Sequence, residues 1–295
     1  MLFFCAFANF FAPLRGNHSQ GGNNNIEITK KSVVRYTKVR APEKKLYFCS
    51  YLNSMIKGQV NLLVVIILAS MSACQSDTER IQGFEVYGID LSHHQQVVNW
   101  DTIAQQQITF AFVKATEGRN NIDTSFCKHW IEMRRTGIVR GAYHFFHPSA
   151  DPNVQAQNYL NNVDLDYGDL PPVIDVEDDE DLPREQVVES IRMWLNAVSL
   201  RYNTKPIIYT NYKFYNKYVV GEFDAYPIWI AKYGNEAPRL GSAQWVFWQY
   251  GNRGKIKGIE GNVDFNVFRS SRDELFKLCI TGEHLSSHLI SERNK

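Results

Sequence analysis

The sequence predicts an α/β fold, an irregular (β/α) barrel of the TIM type with eight strands and fewer or shortened helices. Eight apolar, β-branched runs of strand length follow one another between residues 86 and 268, and helical patterns separate several of them. This stretch is short for a complete (β/α)8 barrel, which needs roughly 250 residues. A doubly wound open sheet is the alternative, but no Gly-rich phosphate loop follows the first run.

The eight predicted strands are rich in β-branched and aromatic residues. The first is Val86–Leu91 and the last is Val263–Phe268. The six between them are Phe110–Ala115, Val139–Phe146, Pro172–Val176, Pro206–Thr210, Ile228–Tyr233 and Val246–Tyr250. Because strands that alternate with helices pair in parallel, we expect parallel strands in the barrel.

Apolar residues at helical spacing predict two helices, Thr124–Thr136 and Glu185–Tyr202, and a short final helix is predicted at Asp273–Leu278. The later connections, Asn211–Tyr226 and Gly251–Asn262, are too short or too Gly-rich for full crossover helices. We therefore expect short or missing helices in the second half of the barrel.

The front of the chain predicts a lipoprotein signal peptide at residues 55–74. Lys57 precedes a short apolar run, Leu62–Ala69, and two small residues precede Cys74. The apolar run is too short to span a membrane, which takes about 20 residues. A buried core helix is the alternative. The ending resembles the lipobox of bacterial lipoproteins, so we expect Cys74 to be lipidated and to become the mature N-terminus.

The other segments follow from this assignment. Residues 1–54 are rich in Asn, Lys and Arg and lack periodicity, so we interpret them as disordered, or as a start-site artefact with the true start at Met55. Residues 75–83 form a polar linker, residues 84–280 the barrel domain, and residues 281–295 a polar tail.

Composition and charge restrict the classes of function. The formal net charge of the 295 residues is +1, which gives no global field that favours nucleic acid. None of the five cysteines has the CxxC or Cys/His spacing of a metal site, and we expect neither a metal nor a cofactor. Aromatic residues make up 13% of the chain, and their flat apolar faces suit sugar rings, although packing accounts for many such residues.

Four acidic residues lie in or at the ends of predicted strands. They are Asp90 in the first strand, Asp175 and Glu177 at the end of the fourth, and Asp264 in the last. In barrels of this type the carboxyl ends of the strands form the active-site face. Asp175 and Glu177 are two positions apart, so their side chains point to one side with Cα atoms about 6.6 Å apart. Two neighbouring carboxyls suit glycoside cleavage, because repulsion raises the pKa of one and keeps it protonated as an acid.

The acidic run at residues 177–181 has two interpretations. We expect Asp178–Asp181 to form a solvated loop, and a weak cation site is the alternative. Asp175 precedes the run and lies between the apolar residues Ile174 and Val176, where a carboxyl is costly unless it has a function.

Aromatic side chains cluster near the same strand ends. Because neighbours along a strand face opposite sides, alternate members point into the barrel and the rest pack against helices. The candidates for sugar contacts are Tyr143, Phe145, Tyr209, Trp229 and Tyr233.

Eight short motifs follow one another from Val86 to Phe268. They are Gly88-Ile-Asp-Leu-Ser92, Phe112-Val-Lys-Ala-Thr-Glu-Gly118, Gly141-Ala-Tyr-His-Phe145, Ile174-Asp-Val-Glu177, Ile208-Tyr-Thr210, Trp229-Ile-Ala-Lys-Tyr233, Trp248-Gln-Tyr250 and Val263-Asp-Phe-Asn266. Each motif alone is weak, but eight in order are specific. In these residues the chain resembles the glycoside hydrolase family 25 lysozymes, the muramidases of bacteria, phages and some fungi.

The resemblance implies a barrel that cleaves the β-1,4 bond between N-acetylmuramic acid and N-acetylglucosamine in peptidoglycan. It implies that Glu177 is the general acid/base, that Asp175 is its partner, and that Asp90 and Asp264 flank the pocket. Gln249, within one of the motifs, joins the aromatic candidates as a substrate-binding residue. The family favours retention through the acetamido group of the substrate, which Asp175 orients. A direct nucleophilic attack by Asp175 is the alternative.

Other interpretations stay open at this point. Lys114 and Glu117 lie in a family-like motif, but we expect them to form an ion pair that stabilises the barrel. A related hydrolase could act on chitin-like or N-linked glycans with the same chemistry, and a non-catalytic glycan-binding barrel is a further alternative. The retained Glu177 argues against the non-catalytic barrel, because such proteins usually lose the acid.

The expected partners are the glycan strands of peptidoglycan and, through a lipid anchor on Cys74, a membrane. We expect a monomer that binds no nucleic acid. Gln75 follows the lipidated cysteine, where an Asp would resemble an inner-membrane retention signal. The chain is therefore expected in the cell envelope, anchored to the outer membrane, or secreted.

Overall fold

The structure, a computed structural model, describes residues 80–95, 98–241 and 244–282. The predicted signal peptide with Cys74, the extension 1–54 and most of the linker and tail lie outside the described residues. Within the described ranges, no helix is long and apolar enough to cross a membrane.

Within the described residues, nine strands form one sheet, and eight of them close into a barrel. They are β1 Val86–Leu91, β2 Ile108–Glu117, β3 Asn121–Ile122, β4 Val139–Phe145, β5 Val173–Asp175, β6 Ile207–Asn211, β7 Ile228–Ala231, β8 Trp245–Gly254 and β9 Val263–Phe268. Closure occurs at β1, which pairs with β2 on one side and with β9 on the other. The two-residue strand β3 is added to the end of β2. The predicted barrel is therefore confirmed, and the open-sheet alternative is wrong.

The expectation that all strands are parallel is wrong for β9, which runs antiparallel to both β8 and β1. The connection between β8 and β9 covers residues 255–262 and contains Gly258 and Gly261, both with positive φ. A parallel crossover takes a dozen or more residues, so this connection can only reverse the chain.

The helices are fewer and shorter in the second half, as predicted. They are α1 Trp100–Ala104, α2 Phe126–Thr136, α3 Pro152–Asn162, α4 Arg184–Tyr202, α5 Tyr212–Phe214, which continues as a π-helical turn at Tyr215–Val219, and α6 Arg272–Leu278. The helices α1 and α3 were not predicted from the sequence. In α3 the polar residues hide the helical period, but Asp151 caps the helix by accepting from the backbone N–H groups of Asn153 and Val154, and Pro152 occupies the first turn.

Apolar side chains pack on both the outer and the inner face of the barrel wall. Outside, Ile174 and Val176 pack in one cluster with Ile191 and Trp194 of α4. Inside, Val173 belongs to a second cluster that contains several aromatic rings. The predicted alternation along β5 is therefore confirmed.

Glycine makes room for the rings inside the barrel. A Cβ on Gly88 would lie 2.3 Å from the Phe110 ring, and a Cβ on Gly141 would lie 2.4 Å from the Phe112 ring. Phe112 in turn stacks on Trp229, with ring centroids 4.2 Å apart. The interior is therefore filled up to the level at which the acidic residues begin.

Candidate active site

The four predicted acids line one cavity of about 330 Å³ at the carboxyl end of the parallel strands. Asp90 is the second-last residue of β1, Asp175 ends β5, and Glu177 follows two positions later. Asp264 is opposite Asp90 in the sheet register, because the antiparallel strand β9 begins where β1 ends. The reversed direction of β9 therefore brings the second residue of the last strand to the active-site end.

Five of the six predicted substrate-binding residues line the same cavity. They are Tyr143, Phe145, Tyr209, Trp229 and Gln249. The sixth, Tyr233, is 55% exposed and lies beside the cavity, where its hydroxyl donates to Gln249 Oε1 at 3.2 Å. The lining also contains residues that the sequence analysis did not propose for the site, namely Leu91, Ser92, His94, Gln95 and Lys114.

Asp175 and Glu177 form a pair of protonatable carboxyls in a dry environment. Burial raises the pKa of Asp175 well above its usual range, the charges of Glu177 and Asp90 raise it further, and the charge of Lys114 lowers it. Burial also raises the pKa of Glu177, and the side-chain amide of Asn211 partly offsets this. Burial therefore favours the protonated form of both carboxyls, and the charge of Glu177 further disfavours ionisation of Asp175.

Asp175 differs from the other acids in its hydrogen bonding. Its side chain is buried, yet among the described residues no donor lies within hydrogen-bonding distance of its Oδ1 atom. A buried carboxylate oxygen without a donor is costly, and such an atom facing a cavity is suited to accept a hydrogen bond from a ligand.

Asp90 and Asp264 form a second carboxyl pair, which holds one proton. Burial raises the pKa of Asp264 to about 8, and the negative charge of Asp90 adds to this. Asp90 Oδ2 accepts from Gln249 Nε2 at 2.8 Å and from Asn266 Nδ2 at 2.7 Å, and these donors favour its ionised form. Burial nevertheless raises the pKa of Asp90 to about 6, which is below that of Asp264, so a proton held by the pair favours Asp264.

Gln249 connects the Asp90–Asp264 pair to the aromatic wall. Its Oε1 atom accepts from the hydroxyl groups of Tyr209, at 2.9 Å, and Tyr233. Its Nε2 atom donates to Asp90 and, at 3.3 Å, to Asp264. Both polar atoms of this side chain therefore have protein partners, and its predicted contact with the substrate stays a prediction.

The expected ion pair between Lys114 and Glu117 is present, with Nζ and Oε2 2.6 Å apart. However, Lys114 also lines the cavity, which the sequence analysis did not predict. Glu117 Oε1 lies 3.3 Å from Nε2 of His147, and Nδ1 of His147 lies 2.6 Å from Glu180 Oε1. These contacts join β2 to the acidic run that follows Glu177.

The acidic run at residues 177–181 is a loop, as expected, with Asp178 and Asp181 exposed, but Asp179 and Glu180 are half-buried and make specific contacts. Asp179 pairs with Lys217 at 2.7 Å and accepts from the Tyr218 hydroxyl. Glu180 accepts from the backbone N–H of Ser149 at 2.9 Å as well as contacting His147. In the described part of the chain, no group of three or more His, Cys, Asp and Glu side chains is arranged to hold a metal ion.

The comparisons with known proteins agree with the geometry. The family model described as glycosyl hydrolases family 25 matches residues 89–259. Lysozyme M1 of Streptomyces globisporus is 34% identical over 209 residues, which cover 65% of this chain and 71% of that protein. The protein YegX of Escherichia coli O6:H1, which has no described function, is 40% identical over 197 residues, with 65% of this chain and 72% of YegX covered.

Solved structures give the same result at the level of the fold. A family 25 glycosyl hydrolase from Bacillus anthracis superposes with a TM-score of 0.64 and 31% sequence identity, and the match covers 70% of this chain and 98% of that chain. The barrel therefore has counterparts among proteins of known structure.

Proposed function

The chain belongs to glycosyl hydrolase family 25 and is an N-acetylmuramidase that cleaves peptidoglycan, and on this premise we propose that Glu177 is its proton donor and that Asp175 assists the substrate. The observation that supports the proposal is the pair of carboxyls of Asp175 and Glu177. Two carboxyls with raised pKa values lie at the end of β5, in a cavity lined by aromatic and polar side chains.

In the first step, protonated Glu177 donates its proton to the glycosidic oxygen as the bond from that oxygen to the anomeric carbon breaks. The acetamido carbonyl oxygen of the same muramyl ring forms a bond to the anomeric carbon, so that a cyclic intermediate results. Asp175 accepts a hydrogen bond from the acetamido N–H, and its negative charge complements the positive charge that develops on the ring. The donor-free Oδ1 atom of Asp175 supports this role.

In the second step, ionised Glu177 takes a proton from water while the water oxygen attacks the anomeric carbon and the cyclic intermediate opens. Glu177 is then protonated again and ready for the next cycle. Two inversions at one carbon give net retention of configuration. The Asp90–Asp264 pair and Gln249 hold fixed donors and acceptors beside the sugar, which the buried hydrogen bonds between them support.

The aromatic residues of the cavity wall are proposed to contact the sugar rings. Tyr143 and Phe145 line the cavity from β4, and Tyr209 and Trp229 line it from β6 and β7. Tyr233 is exposed beside the cavity and offers a ring face to the next sugar along the strand.

Replacing Glu177 tests the proposal. Glu177→Gln keeps the size of the side chain but removes the transferable proton, so we expect turnover of purified peptidoglycan to fall roughly a hundredfold to ten-thousandfold. Glu185→Gln is the matched control, because Glu185 is exposed on the first turn of α4 outside the cavity, and it should keep wild-type turnover. A Glu177→Gln variant with more than about a tenth of wild-type activity would rule out this acid.

We also propose that the enzyme works in the cell envelope as a lipoprotein anchored through Cys74. The basic, apolar and small-residue segments of residues 55–74 support this. Mass spectrometry of membrane-extracted protein should find a diacylglyceryl cysteine at the N-terminus. An intact N-terminus at Met1 would contradict both the anchor and the start at Met55.

A further inference from the structure

Lys114 lies on the wall of the catalytic cavity although it is already paired with an acid. Its ammonium nitrogen lies 2.6 Å from Glu117 Oε2 and 4.7 Å from the centre of the Phe145 ring. Phe145 is next to Asp175 in the register between β4 and β5. Lys114 and Asp175 therefore line the same cavity, from the two strands that flank β4.

A backbone irregularity turns both charges of this ion pair toward one side. Residues three positions apart in a regular strand face opposite sides of the sheet. In β2 the register shifts between Lys114 and Thr116, so one extra residue resets the alternation. Thr116 turns outward, where its Oγ1 lies 2.8 Å from Nδ1 of His144, and Glu117 turns inward beside Lys114.

The proposed mechanism requires a proton on Glu177 and a negative charge on Asp175. Burial works against that charge, and the neighbouring acids, Glu177, Asp90 and Glu117, work against it as well. The other titratable groups facing the cavity from the packed elements are Tyr143, Tyr209, His94 and Asp264. Among the described lining residues, Lys114 is the Lys or Arg side chain that can favour the ionised form of Asp175.

We propose that Lys114 is a positioning residue of the hydrolysis, whose ammonium group keeps Asp175 ionised, and that Glu117 limits this effect because it pairs with the same ammonium group. The proposal rests on the role given above to Asp175. The effects that it predicts for losing Lys114 and for losing Glu117 have opposite signs, unlike those expected of a purely structural ion pair. Loss of either partner of a structural pair has one effect, whereas here the two losses act on Asp175 in opposite directions.

The test is a titration of the Asp175 carboxyl carbon by ¹³C NMR, with Asp175→Asn used to assign the resonance. Lys114→Met removes the cation at similar size and should raise the pKa of Asp175 by about 1 unit. Glu117→Gln releases the cation from its partner and should lower that pKa, and Lys114→Arg should restore the wild-type value. The acidic limb of the pH profile for peptidoglycan turnover should move in the same directions.

Shifts of the same sign in Lys114→Met and Glu117→Gln, or no shift in either, would overturn the proposal and leave a structural ion pair. If Lys114→Met does not fold, the sign for Glu117→Gln decides alone, because only a downward shift agrees with the proposal. The NMR titration of Asp175 does not depend on whether the enzyme turns over its substrate. Opposite shifts together with an acidic limb that persists in Asp175→Asn would therefore uphold the role of Lys114 and reject the proposed role of Asp175.

Discussion

Two layers of inward-facing side chains lie inside the barrel, two residues apart on the same strands, and their compositions are opposite. Phe112, Val173, Ile207 and Phe247 of the lower layer are followed two positions later by Lys114, Asp175, Tyr209 and Gln249 of the upper layer. The lower layer is apolar and fully packed, and the upper layer holds charges, amides and hydroxyl groups around a cavity. One backbone therefore presents a stabilising layer and a reactive layer to the same interior.

The lower layer holds the fold together, and the upper layer carries the groups that perform the chemistry. Apolar contacts in the lower layer stabilise the closed barrel, because the rings are removed from water and pack on one another. In the upper layer, burial raises the pKa values of all four acids, so ionising them costs stability. We expect substitutions in the two layers to change stability in opposite directions.

The largest effect on stability is expected among the apolar side chains at and below the lower layer. Phe110 is fully buried, and its ring centroid lies 5.0 Å from that of Phe247. Phe110→Ala should lower the free energy of unfolding by about 3–5 kcal/mol, because it loses burial and leaves a cavity. Urea unfolding followed by circular dichroism measures this.

The matched control for that variant is Ile131→Ala, since Ile131 is an exposed residue of α2 and should change stability by less than about 0.5 kcal/mol. Turnover per folded molecule of Phe110→Ala should stay near the wild-type value, because Phe110 does not line the cavity. A loss of turnover as large as that of Glu177→Gln would show that the two layers are not separable.

A smaller effect of opposite sign is expected in the upper layer. The folded-state pKa of Asp264, about 8, exceeds that of an unfolded Asp, so the folded protein binds more protons and loses stability as the pH rises between these values. Asp264→Asn keeps a donor toward Asp90 but cannot ionise. It should unfold like the wild type at pH 3, below the pKa of an unfolded Asp, and be more stable by about 2–3 kcal/mol at pH 9, which is less than the full linkage value because Asp264 is only partly buried.

The comparison of unfolding at the two pH values, with Glu189→Gln as an exposed control, measures this effect. Equal stabilities of Asp264→Asn and wild type at pH 9 would mean that the buried negative charge of Asp264 costs nothing. The upper layer would then not differ from the lower one in its effect on stability.

The sequence predicted the strands better than it predicted how they pair. β-branched runs identify each of the eight barrel strands, because strand formation depends on local composition. The direction of β9 depends on what the connection at residues 255–262 can span, and the motif order alone does not reveal it. The helix α3 was missed because Gln and Asn residues interrupt its apolar face.

The acids at the end of β5 could be predicted because their spacing is also a local feature of the sequence. Asp175 and Glu177 share one side of a strand because they are two positions apart, and this parity is visible in the sequence. The position of Lys114 and Glu117 depends on a register shift in β2, which reverses the parity. The role of Gln249 as a bridge between Tyr209 and Asp90 requires contacts across the barrel that no local pattern encodes.

The role of Asp175 in the upper layer is the central claim, and trapping the intermediate tests it most directly. If the acetamido group of the substrate is the nucleophile, a fluorinated glycosyl substrate should leave no adduct on the enzyme, as intact-protein and peptide mass spectrometry would show. A thiazoline analogue of the sugar should inhibit the wild type and bind much less well to Asp175→Ala, which lacks the complementary charge. A stable glycosyl adduct on Asp175 would contradict the account and make that residue the nucleophile.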